Sequence, residues 1–186
     1  MTTYRQVKGY NIKKISSDPS NVKEGQVWYN SNSTTIKLGL KLEAWSSGGN
    51  MNTARGGTNN AAGDKAAGVT FGGQVAPGRS NATEEYDGSS WTSVTNTPQA
   101  RRTYLVTGTQ TASLLCGGQP PTPTANGDAE TFEYDGSSFS DTSDINNARD
   151  NAAGAGTQTA GLAVGGRTRP GSTFVPNNNV EEYNGS

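Results

Sequence analysis

One phrase constrains this chain more than any other feature. Residues 85–91 read EYDGSSW, residues 133–139 read EYDGSSF, and residues 182–186 read EYNGS. A phrase repeated at nearly constant spacing marks a repeat architecture, in which each copy is one small supersecondary unit. Alignment on it brings further positions together. An aromatic residue opens each period (Trp45, Trp91, Phe139), and an Ala-Arg pair follows (Ala54-Arg55, Ala100-Arg101, Ala148-Arg149). Next comes a small-residue segment, GDKAAGVTFGG, GTQTASLLCGG or GTQTAGLAVGG, ending in a Gly pair: Gly72-Gly73, Gly117-Gly118 and Gly165-Gly166. Those pairs are 45 and 48 residues apart, and Tyr86, Tyr134 and Tyr183 are 48 and 49 apart.

Each period reads as four short strands. The first lies near 57–62, 103–107 and 151–155, and a tight turn leads to the second at 66–71, 112–116 and 160–164, which the Gly pair ends. The third runs into the tyrosine. The Asp-Gly or Asn-Gly turn, whose residues tolerate positive φ, leads to a fourth carrying the aromatic. Helix is nearly excluded, because no segment has a 3.6-residue period and Gly, Ser, Thr and Asn are poor helix formers. The fold class is therefore all-β. The small residues of the second strands suit a close approach of sheets near an axis, with the fourth-strand aromatics filling a wider outer wedge. Arg55, Arg101 and Arg149 recur with Glu85, Glu133 and Glu182, and are expected to form structural ion pairs or backbone-capping contacts.

Composition agrees. Only 30% of the residues are hydrophobic and 25 are Gly, yet the net charge is −1 and aromatics recur regularly. That combination fits a turn-rich β protein better than a disordered chain. The charge balance argues against nucleic acid as a partner; the run from Lys8 to Lys14 is the one basic stretch. No stretch approaches the length of a membrane helix, so no membrane insertion is expected, and MTTYRQVKGY has no apolar core for a secretory signal. The sequence has no histidine, and Cys116 is its single cysteine. Cys116 stands where Phe71 and Val164 stand in the sister copies, which marks a packing thiol. The adjacent acids Glu84-Glu85 and Glu181-Glu182 point to opposite faces of a strand and do not make a glycosidase pair. No catalytic, cofactor-binding or metal-ligating residue is assigned, and no enzyme activity is expected.

Residues 1–42 do not repeat. GQVWYNSNSTTIKL predicts a hairpin in which Val27, Trp28 and Tyr29 face Thr35, Ile36, Lys37 and Leu38 across a polar turn, after an extended segment that turns at Asp18-Pro19. So short and polar a module is expected to dock on something else. The repeats occupy 43–186, divided at about 45–90, 91–138 and 139–186. Loops of variable length follow the Gly pairs, and in a repeat architecture equivalent loops project from one face. Arg79, Arg167, Arg169 and Phe174 are the candidate partner-contacting residues there.

The Gly pair after an apolar strand, the following Tyr, the Trp beyond it and the Arg leading onward resemble the kelch repeat. This resemblance covers about 45–186 and implies four-stranded blades of a partial β-propeller in about three copies. GQVWYNSNSTTIKL is similar to segments of tailed-phage fibre and virion proteins, and the glycine-rich array ending in EEYDGSSWT resembles those in structural proteins of marine tailed phages. That resemblance implies a non-enzymatic virion protein, a tail fibre or receptor-contacting appendage, with residues 1–42 attached to other virion proteins. Its blades would project toward a host surface glycan or receptor, with homo-oligomers in the particle. A capsid decoration or head fibre and a kelch-type protein-binding adaptor are the alternatives. Because the third copy lacks its aromatic, the expectation is either a longer array or completion by neighbouring chains. A longer array is favoured; in the other case Leu40 to Trp45 is the best donor for the edge at Val180 to Tyr183.

Overall fold

The computed structural model describes residues 12–39, 45–57, 60–121, 127–168 and 173–186. These residues form strands and connections with no helix, and the chain divides into two compact units, Met1–Ser47 and Gly48–Ser186.

The first unit holds one three-stranded sheet. β1 (Lys13–Ile15) lies parallel to β2 (Val27–Asn30), which pairs antiparallel with β3 (Thr35–Leu38). The register, Val27↔Leu38 through Asn30↔Thr35, is the hairpin the sequence predicts. Asn30 shapes its turn by accepting from the amides of Asn32 and Ser33. Asp18 anchors the segment before it: its Oδ1 accepts from Trp28 Nε1 at 2.9 Å and Asn30 Nδ2 at 2.7 Å. Trp28 is buried, whereas Ile36 and Leu38 are exposed. So thin a core is what a short polar segment can build.

The second unit holds three sheets of like topology, two of four strands and, among the described residues, one of three. The first comprises β4 (Ala61–Gly63), β5 (Gly68–Gln74), β6 (Arg79–Tyr86) and β7 (Trp91–Val94), and the second β8 (Leu105–Thr109), β9 (Ala112–Cys116), β10 (Thr131–Tyr134) and β11 (Phe139–Thr142). β12 (Ala153–Gly156) and β13 (Gly161–Val164) begin the third. The hairpin of β14 (Arg167–Thr168) and β15 (Val175–Pro176) interrupts it, and β16 (Val180–Tyr183) completes it. In all three sheets the strands pair antiparallel with their neighbours in chain order. The first two repeated phrases make the same turn. Asp87 Oδ1 accepts from the amides of Ser89 and Ser90, and Asp135 Oδ1 from those of Ser137 and Ser138. Two hydrophobic clusters lie between the sheets. Val69, Phe71, Tyr104, Val106, Leu115 and Tyr134 join the first two; Leu105, Leu114, Cys116, Ala152 and Ala163 join the last two.

Three expectations are corrected. The Gly pair does not end the second strand of the first sheet: β5 runs through it with an irregularity between Phe71 and Gly73, because a short loop lets the β5–β6 ladder resume at Gly73 and Ser80 and run on to Gln74 and Arg79. The strands that approach one another between sheets are the first ones, β4, β8 and β12, so the close packing falls on Ala61–Gly63 and Ala153–Gly156. A Cβ on Gly154 would lie 2.6 Å from the Val106 carbonyl. Trp45 fills no wedge; it is fully exposed.

The aspartates of the turns carry a pH signature. The Ser90 amide, together with the Ser89 side chain, holds the Asp87 carboxyl well below its usual range, and the Ser138 amide does the same for Asp135. A depressed folded-state pKa gives stability that is present above the unfolded value of 3.8 and is lost as pH falls toward the folded value. Melting temperatures are therefore expected to decline below that value, and Asp135→Asn should flatten the acid limb.

Candidate functional site

The repeated arginines are built into the sheets. Arg55 Nη1 donates to the carbonyls of Gly72 at 2.8 Å and Ala82 at 2.7 Å, and its Nη2 pairs with Glu84. Arg101 Nη1 donates to the Gly117 carbonyl at 3.0 Å, and its Nη2 pairs with Glu130 and with Asp128 at 2.7 Å. Arg149 Nη1 donates to the carbonyls of Gly165 at 3.1 Å and Asn179 at 3.0 Å, and its Nη2 pairs with Glu181. Each guanidinium thus holds the first carbonyl of a Gly pair and an acid at once, a task for a planar fork with several donors. All three arginine side chains are withdrawn from solvent.

The acids are not those expected. Successive residues on a strand face opposite sides, so Glu84 turns to Arg55 while Glu85 turns to the next sheet. There Glu85 accepts from the Tyr134 hydroxyl at 2.9 Å, and Glu133 likewise accepts from the Tyr183 hydroxyl at 2.9 Å. Glu182 makes neither contact with Arg149; its neighbour Glu181 does. The second sheet has Phe132 where the others have Glu84 and Glu181, and Glu130 from the preceding loop supplies the acid instead. The Glu85–Tyr134 bond stitches two sheets, and Gln158 adds another by donating to the carbonyls of Ser113 and Tyr134 at 3.3 and 2.9 Å. Tyr134→Phe is expected to cost about 0.5–1.5 kcal/mol, the net worth of one hydrogen bond, read from a chemical denaturation midpoint.

At the end of the sheets that carries the Gly pairs, polar residues form a seam. Arg102 Nε donates to Gln119 Oε1 at 2.6 Å and its Nη1 to Gln74 Oε1 at 3.2 Å; Arg167 Nε donates to Asp150 Oδ1 at 2.5 Å. The Arg167 guanidinium also lies 4.0 Å from the centroid of the Phe174 ring, a cation–π contact that spans the β14–β15 hairpin. Of the candidate residues, Arg167 and Phe174 are therefore brought together. Arg79 is not on a projecting loop; it opens β6 opposite Gln74 and is half-buried. Arg169 lies outside the described residues. Gln74, Arg102, Gln119 and Asp150 were not among the candidates, although their fixed places beside the Gly pair or after the repeated Arg were a usable signal.

Trp91 opens β7 and stacks beside Tyr86 with ring centroids 5.0 Å apart; Phe139 does the same with Tyr134 at 4.7 Å. Cys116 is buried, and burial pushes its thiol up to about 11, which suits packing rather than nucleophilic attack. Among the described residues no three His, Cys, Asp or Glu side chains are grouped to hold a metal ion. No family model matches the chain, and no curated protein matches it.

Proposed function

We propose that this chain is a non-enzymatic structural protein of a tailed-phage particle, a tail fibre or receptor-contacting appendage. In this reading the three sheets are kelch-like blades of a β-propeller. The first unit attaches them to other virion proteins, and the seam end with its variable loops meets a host glycan or receptor. What carries it is the use of the repeated charged residues. Arg55, Arg101 and Arg149 are all spent on carbonyls and acids of their own sheets, as scaffolding, while the segments after the Gly pairs differ between copies in both length and residue type. An Arg stacked on an aromatic at that end, as Arg167 is on Phe174, is a common element of surfaces that bind sugars or proteins. The resemblance of GQVWYNSNSTTIKL and EEYDGSSWT to phage virion segments supplies the setting. Mass spectrometry of purified particles is expected to find the chain, and removing residues 1–42 should abolish its incorporation. Incorporation of the truncated chain at normal copy number would contradict the attachment role.

A further inference from the structure

Beyond each Gly pair the chain forms the same short bridge. Gly56 pairs with Gln74, Arg102 with Gln119 and Asp150 with Arg167, each an isolated antiparallel pair that exchanges both main-chain hydrogen bonds. Residues directly opposite in such a pair present their side chains to the same face. Each bridge therefore sets two side chains beside one another in the polar seam, and the three bridges differ in the charge they carry. In the third sheet Asp150 is buried and accepts from Arg167, so the pair neutralises itself. In the second sheet Arg102 stands beside the neutral Gln119. In the first sheet Gln74 stands beside a residue with no side chain. Among the described residues a Cβ on Gly56 would meet nothing within 4 Å, and the φ of Gly56 lies outside the left-handed region.

Arg102 joins the two bridges that hold no acid. Its Nε donates to Gln119 Oε1 at 2.6 Å, and its Nη1 crosses to Gln74 Oε1 of the first sheet at 3.2 Å. Those bonds use two of the five N–H donors of a guanidinium and leave donors on Nη1 and Nη2. Among the described residues both partners of Arg102 are neutral amides, and no carboxylate pairs with it. The other seam arginine and the neighbouring Arg101 are treated differently: Arg167 pairs with Asp150, and Arg101 with Asp128 and Glu130. Arg102 is thus a half-buried cation whose charge its own surroundings do not neutralise. The open place over Gly56 adjoins the Gln74 side chain that this guanidinium touches. In the third sheet the equivalent place holds the Asp150 carboxylate, to which an arginine donates. The molecule itself therefore shows which chemical group fits this place when a guanidinium is within reach.

We propose that the seam between the first two sheets binds a carboxylate carried by an acidic glycan. The carboxylate sits over Gly56 and accepts from the remaining N–H groups of Arg102, as Asp150 accepts from Arg167. The planar fork of a guanidinium matches the two oxygens of a carboxylate. The Gln74 amide beside it both donates and accepts, as sugar hydroxyls do. A bound acidic peptide would instead be expected to need a large apolar or aromatic anchor, and the three bridges supply only amide, guanidinium and carboxylate groups. The choice of a glycan rests on the reading above of this end as the receptor-contacting one, whereas the carboxylate site does not.

An NMR titration of the full 19.3 kDa chain with trigalacturonate tests this. Saturable shifts are expected at the Arg102 Nε–H and at the amides of Gly56 and Gln74. The methyl ester of the same sugar, and acetate, are each expected to bind at least about tenfold more weakly, the scale set by one charge-assisted contact. Arg102→Gln should lose binding by the same factor. Gly56→Asp places an internal carboxylate where the third sheet has Asp150. It is expected to abolish the titration with an unchanged circular dichroism spectrum, since a side chain there meets open space. No saturable shift, an ester or acetate that binds as tightly as the acid, a pentaglutamate peptide that binds as tightly as trigalacturonate, or undiminished binding by Gly56→Asp would each overturn the proposal. None of these bears on whether the chain is found in phage particles, so the two readings fail separately.

Discussion

Replacing Arg55 with Met is expected to destabilise the array by about 3–5 kcal/mol, the usual cost of stranding one member of a buried ion pair. Arg55 and Glu84 both have fully buried side chains. Without the guanidinium, Glu84 keeps only the amides of Asn52 and Thr53 as donors among the described residues, and the carbonyls of Gly72 and Ala82 lose the Arg55 donor. At roughly 2–4 °C per kcal/mol for a unit of this size, the melting temperature should fall by about 10 °C. Arg101→Met should cost less, about 1–3 kcal/mol, because its partners Glu130 and Asp128 are 40% and 22% exposed and regain water when unpaired. Equal losses in the two variants, measured by urea denaturation, would show that acid burial does not set the cost.

Replacing Gly117 with Ala is the second large change, expected to cost more than about 2 kcal/mol through backbone strain and a steric clash. Gly117 has φ of 61°, and a Cβ there would lie 2.6 Å from the Arg149 carbonyl of the next sheet. That carbonyl is a main-chain atom held by Gly118 N and cannot step aside cheaply. Gly78 is the control: a Cβ there meets nothing within 4 Å, so Gly78→Ala should stay within roughly 0.5 kcal/mol. The contrast explains why the first glycine of each pair recurs. It supplies the left-handed conformation in all three pairs, and at Gly72 and Gly117 it also lets one sheet's backbone approach the next.

The strand order, the phrase turns and the 27–38 hairpin were legible in the sequence because local chemistry decides them. Asp-Gly turns, alternating strands and Gly-rich reversals act within a few residues. The partners of the arginines were not legible by recurrence. Glu85 recurs in every copy and drew attention, yet on a strand its side chain faces the next sheet. The clamping acid at the preceding position is hidden by Phe132 in the second copy, where a loop residue, Glu130, takes over. Trp45 kept its place in the repeat yet is exposed, and repeat alignment alone does not tell a filled position from a vacant one. The Arg167–Phe174 contact depends on the β14–β15 hairpin, which has no counterpart among the described residues of the other two copies from which to infer it.

The division of labour between adjacent acids on β6 is tested most directly by two double-mutant cycles on stability, one pairing Arg55→Met with Glu84→Gln and the other pairing Arg55→Met with Glu85→Gln. A coupling of about 2–3 kcal/mol is predicted for Arg55 with Glu84, and one within about 0.5 kcal/mol for Arg55 with Glu85, as for residues without shared partners. Strong coupling to Glu85 and none to Glu84 would contradict the assignment of Glu84 to the clamp within a sheet and Glu85 to the junction between sheets.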